Sequence, residues 1–146
     1  MKFLMTVILL SPVWVSCYLY YLSSTAPAGK VGLFDGKLRV CSSSSNCVNT
    51  EARGVDDPTP IRDSDGSRWQ KLPEVIEEDG GRIIRNDVSY IHAIYKSSIF
   101  GFVDDIEFRH TSSGKTIHVR SASRVGRSDL GANLRRLERI RLKLGY

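Results

Sequence analysis

The stretch FGFVDDIEFR (100–109) alternates apolar and polar residues, as a half-buried strand does, yet holds two adjacent carboxylates. Neighbouring strand residues point to opposite faces, so Asp104 and Asp105 cannot share one substrate as an acid–base pair. Asp104 falls on the side of Phe102, Ile106 and Phe108, where an ionised group is costly unless charged or hydrogen-bonding partners meet it. The segment RSASRVGRSDLGANLRR (120–136) can supply them: guanidinium groups from Arg124 and Arg127, hydroxyls from Ser121 and Ser123, and the unpaired N–H groups of a helix start. Asp104 is therefore expected to fasten its strand to the turn that launches the last helix. The same atoms form a candidate anion site, with Arg124, Arg127 and Ser128 around a phosphate, sulfate or carboxylate and Asp104, Ser121, Ser123 and Asn133 beside them. Asp105, on the opposite face, is expected to pair with Arg120 across the strands.

Other reactive patterns are weaker. Ser112-Ser113-Gly114-Lys115 fits S-x-x-K but lies on a hairpin turn, not at the start of a buried helix. His92, His110 and His118 lack metal-ligand spacing. Cys41 and Cys47, in CSSSSNC, read as a disulfide in an oxidising compartment. A metal pair lacks further ligands nearby, and a redox pair usually has C-x-x-C spacing. No catalytic residue, metal or cofactor is assigned, and a binding or scaffolding module is favoured, with an enzyme acting on an anionic small molecule at the Arg124–Ser128 loop as the alternative.

These groups must be positioned by a small set of elements. Trp69, Leu72 and Ile76 recur at helical spacing, with Pro73 suggesting a later start and Gly80-Gly81 a stop. Residues 82–86 and 88–95 read as strands joined near Asp87. Residues 102–110 and 115–123 form a hairpin around a four-residue loop, 111–114. That loop would set Phe108 against Ile117, Ile106 against Val119, Asp104 against Ser121 and Glu107 against His118. Leu130, Leu134, Leu137, Ile140 and Leu144 make an apolar stripe, capped by Ser128 or Asp129. The predicted fold is α+β: an antiparallel four-stranded meander with helices covering one face, in the order α-β-β-β-β-α.

In front of this domain, Phe3 to Leu22 holds 20 residues without a charged side chain, about the length that crosses a hydrocarbon core. Lys2 precedes it and no cation follows until Lys30, which places the N-terminus inside and the remainder outside. The expectation is a membrane anchor at 1–22, a linker at 23–30 and an exported domain at 31–146, with cleavage near Ala26-Pro27-Ala28 or lipidation at Cys17 as alternatives. Charge is uneven. Residues 51–108 carry 13 acidic against 7 basic side chains, whereas 120–146 carry 8 basic against 2 acidic. The two halves are expected to attract each other within the fold. A basic last helix touching anionic lipid headgroups is the other use of that charge. Nucleic acid is not expected for an exported chain.

SSIFGFVDDIEFR and IHVRSASRVGRSDLGANLRRLERIR closely resemble the bacterial and plastid family known as domain of unknown function 1499, and CSSSSNCV resembles its Cys-Pro-x-Ser-Pro-Asn-Cys-Val segment. The likeness runs from about Leu38 to Leu144. Asp104, Asp105, Arg120, Ser121, Ser123, Arg124, Gly126, Ser128, Asp129, Gly131 and Asn133 fall on the family's signature. Ser42 and Ser45 replace its prolines, and its Asp-x-x-His pattern is not reproduced around Asp57. The resemblance implies a single domain, often exported or anchored, and no established activity.

Overall fold

The computed structural model describes residues 14–18, 20–27, 29–42, 45–51, 58–98 and 101–146. Its centre is an antiparallel sheet. Strands β5 (Arg82–Asn86), β6 (Tyr90–Lys96), β7 (Val103–His110) and β8 (Thr116–Ser123) follow one another, and β3 (Cys47–Asn49) and β4 (Ile61–Arg62) both pair with the far edge of β8. The fold is thus α+β, but among the described residues the sheet has six strands, not four. The two additions come from the stretch before Gly66, whose short polar runs carry no strand periodicity. A separate hairpin, β1 (Leu33–Phe34) with β2 (Lys37–Leu38), turns at Asp35-Gly36, both with positive φ, the conformation a tight two-residue hairpin loop requires.

Helix α1 (Ser67–Glu78) and helix α2 (Ala132–Lys143) pack on one face of the sheet. Leu72, Val75 and Ile76 of α1, with Leu137 and Ile140 of α2 and the following Leu144, form one core with Ile91, Ala93, Ile106, Phe108, Ile117 and Val119. Pro73 lies inside α1 and does not start it. The Asp63 carboxylate accepts the N–H groups of Arg68 and Trp69 at 3.1 Å each, which anchors the helix start ahead of the proline. The apolar stripe on α2 is narrower than its leucines suggest. Leu130 precedes the helix and, like Leu134, is exposed, and Arg136, Arg141 and Asn133 take the inward positions.

The β7–β8 hairpin closes with the Thr111 N–H donating to Thr116 O at 2.9 Å, one residue further along each strand than the expected His110–Lys115 end. His110 therefore faces Ile117, Phe108 faces Val119, Ile106 faces Ser121 and Asp104 faces Ser123, while Glu107 faces Arg120 and Asp105 faces Ala122. Every predicted pairing is displaced by two residues. Because side chains alternate with period two, each residue keeps its predicted face and changes its partner.

The expected membrane helix over Phe3–Leu22 falls largely outside the described residues. Helical turns are present at 14–18 and 20–25, and among the described residues no helix is long and apolar enough to cross a membrane. The end of these turns is tied to the domain: Ser23 Oγ accepts the Val103 N–H at 2.8 Å and donates to Gly101 O at 3.3 Å.

Gly81 shows how tightly α1 meets the sheet. A Cβ there would lie 2.7 Å from both Ile76 and the Tyr95 ring, two side chains fixed in the core. Gly81→Ala is expected to lower stability by about 1–3 kcal/mol, read as a shifted urea midpoint. An unchanged midpoint would show that this junction is loose.

Candidate functional site

Asp104 and Asp105 are both buried, on opposite faces of the sheet, and each meets a different arginine. On the helix side, Arg136 Nη2 donates to Asp104 Oδ2 at 2.5 Å, and its guanidinium lies 4.5 Å from the centre of the Tyr95 ring. Arg136 Nη1 also donates to Ser121 Oγ at 3.0 Å and to Asn133 Oδ1 at 2.6 Å. Asn133 Nδ2 donates to Asp129 Oδ2, Ser123 Oγ and Asn46 O. Asp129 in turn accepts the Gly131 and Asn133 N–H groups at 2.9 Å each, which holds the entry to α2. So Asp104 is neutralised as its burial demands, but by the last helix itself; Arg124 and Arg127 of the preceding turn do not reach it.

The opposite face is not a solvated surface. Asp105 is 1% exposed and Glu107 0%. Arg124 grips Asp105 with two bonds of 2.8 Å, His92 Nε2 donates to its Oδ1 at 2.8 Å, and the Gly29 N–H lies 3.4 Å from its Oδ2. Glu107 receives Arg120 Nη1 at 2.8 Å, the Tyr90 hydroxyl at 2.7 Å and the Gly32 N–H at 2.6 Å. Glu51 receives Arg109 through two bonds and the Leu38 N–H at 2.5 Å. The expected Asp105–Arg120 pair is therefore not formed. The two-residue register shift sets Arg120 opposite Glu107, and Arg124, past the strand end, curls back to Asp105.

The strap from Gly29 to Leu38 thus gives one backbone N–H to each of three carboxylates, and each carboxylate also holds one arginine. Burial alone would raise the Asp105 carboxyl, but hydrogen bonds from His92 and Arg124 outweigh it and hold the group at about 2. Glu51 is lowered in the same way, burial being outweighed by Arg109 and the Leu38 N–H. The Tyr90 hydroxyl is pushed well above its usual range by burial and by its bond to Glu107. It stays a protonated donor.

Beside this row lies a cavity of about 530 Å³ between the strap, the disulfide segment and β8. Its charged lining is Lys30, Arg39, Arg120 and Arg124 against Asp105 alone; Ser42, Asn46 and Ser123 add polar groups. The disulfide Cys41–Cys47, with Cα atoms 5.8 Å apart, places Arg39 and Val40 on one wall. Among the described residues, neither Lys30 nor Arg39 has an acidic partner. Among the described residues, the buried Nε atoms of Arg39 and Arg120 have no hydrogen-bond partner.

The residues expected to gather around one anion are divided by the sheet. Arg124 faces the cationic cavity. Asp104, Ser123, Gly126 and Ser128 line a different cavity of about 160 Å³, whose charged groups are the carboxylates of Asp104 and Asp129. Ser121 and Asn133 are buried in the Arg136 network, and Arg127 is exposed, its carbonyl accepting Ser45. The basic last helix also turns inward: Arg136 and Arg141 are buried, while Arg139 and Lys143 both meet Asp79. The attraction expected between the acidic and basic parts of the chain is visible in these pairs. Arg39 carries no signal in the sequence analysis, and His92, Glu107 and Lys30 enter it only in other roles, not as parts of a site. The signal that could have found the hairpin leading to Arg39 is the Asp35-Gly36 turn pair between Leu33-Phe34 and Lys37-Leu38.

A family model described as "protein of unknown function (DUF1499)" matches residues 37–144. No curated protein matches the chain, and no solved structure does.

Two outcomes follow. Arg136→Ala, which strands a buried carboxylate, is expected to cost about 3–5 kcal/mol, and the double variant Asp104→Leu/Arg136→Met to recover most of it, measured by denaturant unfolding. A small loss in the single variant would mean that Asp104 is solvated. For Asp105, the folded value of about 2 lies below the unfolded 3.8, so its stabilisation is complete above that value and lost as pH falls through 2. The stability gap between wild type and Asp105→Asn should narrow by on the order of 1–2 kcal/mol between pH 5 and pH 2; a constant gap would contradict the assignment.

Proposed function

Because the chain belongs to the DUF1499 family, whose description names no activity, we propose from the geometry that this domain binds an anion in the cavity beside the disulfide. The carrying observation is the charge balance of its wall. Asp105 is already satisfied by Arg124, His92 and Gly29, so Lys30 and Arg39 stand as cations in excess. A cavity so lined attracts anions, and guanidinium groups present paired donors that fit a phosphate or carboxylate. Arg120 and Arg124 are held rigidly by Glu107 and Asp105, which reduces the ordering cost on binding. This reading keeps Arg124 from the anion site expected on sequence and replaces the Arg127–Ser128 side with the strap and disulfide wall.

The setting proposed for this activity is a domain tethered at a membrane and exported. Support comes from the uncharged run Phe3–Leu22 and from a disulfide that suits an oxidising compartment.

Inorganic phosphate is the first probe. At ten times its dissociation constant it should stabilise the full chain by about 1.4 kcal/mol, seen as a rise in Tm. Arg39→Ala should weaken the effect at least ten-fold, whereas Arg139→Ala, on the helix side, should leave it intact. Equal phosphate binding by Arg39→Ala and the parent chain would refute the site.

A further inference from the structure

The cationic cavity does not end at a polar rim. Arg39 and Val40 line it and also line a second cavity of about 620 Å³, whose other walls are Phe34, Asp35, Lys37 and Leu38. Apolar groups dominate this second surface, and two large hydrophobic side chains that line it stand exposed: Phe34 at 59% and Val40 at 71%. Exposed apolar surface gathered on one short hairpin is unfavourable in water and marks contact with something apolar.

Arg39 sits at the junction. Its guanidinium carbon lies 5.2 Å from the centre of the Phe34 ring, and its buried Nε has no hydrogen-bond partner among the described residues. One side chain thus faces an apolar wall and a cationic chamber together. A small inorganic anion would use only the chamber.

Resting on the anion-binding reading above, we propose that the ligand is an anionic amphiphile: a phosphate- or carboxylate-type head in the cavity of Arg39, Arg120 and Arg124, and a hydrocarbon chain along Phe34, Leu38 and Val40. The head makes charge-assisted hydrogen bonds in a partly dehydrated site, and the chain covers apolar surface at roughly 25 cal/mol per Å². Specificity needs both parts. The free anion lacks the second contribution, and a neutral or zwitterionic lipid lacks a net charge to meet Lys30 and Arg39.

The test uses the full chain in phosphatidylcholine nanodiscs with two photoreactive lipids bearing a diazirine in the acyl chain, one a phosphatidic acid and one a phosphatidylcholine. Phosphatidic acid should label the peptide spanning Phe34–Val40 at least five-fold more than phosphatidylcholine. Millimolar inorganic phosphate should compete with that labelling. Phe34→Ser should reduce it several-fold while leaving the phosphate-induced rise in Tm unchanged, which also shows that the variant is folded. Equal labelling by the two lipids, or undiminished labelling of Phe34→Ser, overturns the amphiphile proposal and leaves anion binding standing if phosphate still raises Tm. Absence of both labelling and phosphate stabilisation overturns both.

Discussion

Three carboxylates removed from water on one face of the sheet govern this structure. Asp105, Glu107 and Glu51 would each be costly to bury alone. Each is met by an arginine and by one N–H of the strap, from Gly29, Gly32 and Leu38 respectively. The arginines come from β7, β8 and the turn after β8, so the sheet supplies the cations and the strap completes the hydrogen bonding. An ion pair of this kind need not stabilise more than an apolar pair of the same size would. Its effect is positional: the strap has only one register in which three amides meet three carboxylates, and that register sets Lys30 and Arg39 over the cavity.

The other face repeats the logic with a different partner. Asp104 draws Arg136 and, through Asn133, Ser121 and Asp129, fixes the start of α2. Adjacent aspartates therefore secure two layers, the helices on one side and the strap on the other. The strand holding them is stiff because both its faces are committed. Arginines anchored this firmly lose little freedom when a ligand arrives, which suits recognition more than large rearrangement.

Much of this was legible and some was not, for identifiable reasons. Alternation in β7 and β8 gave each residue its face, but the hairpin closes at Thr111–Thr116 and not at His110–Lys115, so every cross-strand partner moves by two. Asp104 reads as a buried carboxylate that needs a cation, yet local sequence favours Arg124 and Arg127 over Arg136, because proximity along the chain does not report where a helix turns its side chains. Leu130 and Leu134 looked like core by spacing, but Leu130 precedes the helix at positive φ. Pro73 looked like a helix start because its missing N–H is locally unfavourable; Asp63, six residues before Trp69, holds the first turn from outside it. The strap was opaque. Glycines donating backbone N–H groups leave no side-chain pattern to read.

By itself, the sequence determined which residues face which side of β7 and β8, that two cysteines six apart would close a small loop, and that the acidic and basic parts would meet. These follow from short-range geometry: the period of a strand, the reach of a disulfide and the sign of a charge. Tertiary structure alone decided that Asp105 is buried and not at a wet edge, that Arg124 and Arg136 serve opposite faces, and that Lys30 and Arg39 stand over β8. Those outcomes depend on which distant segment covers each face. Covering is set by the summed packing and hydrogen bonding of the whole chain, which no local pattern contains.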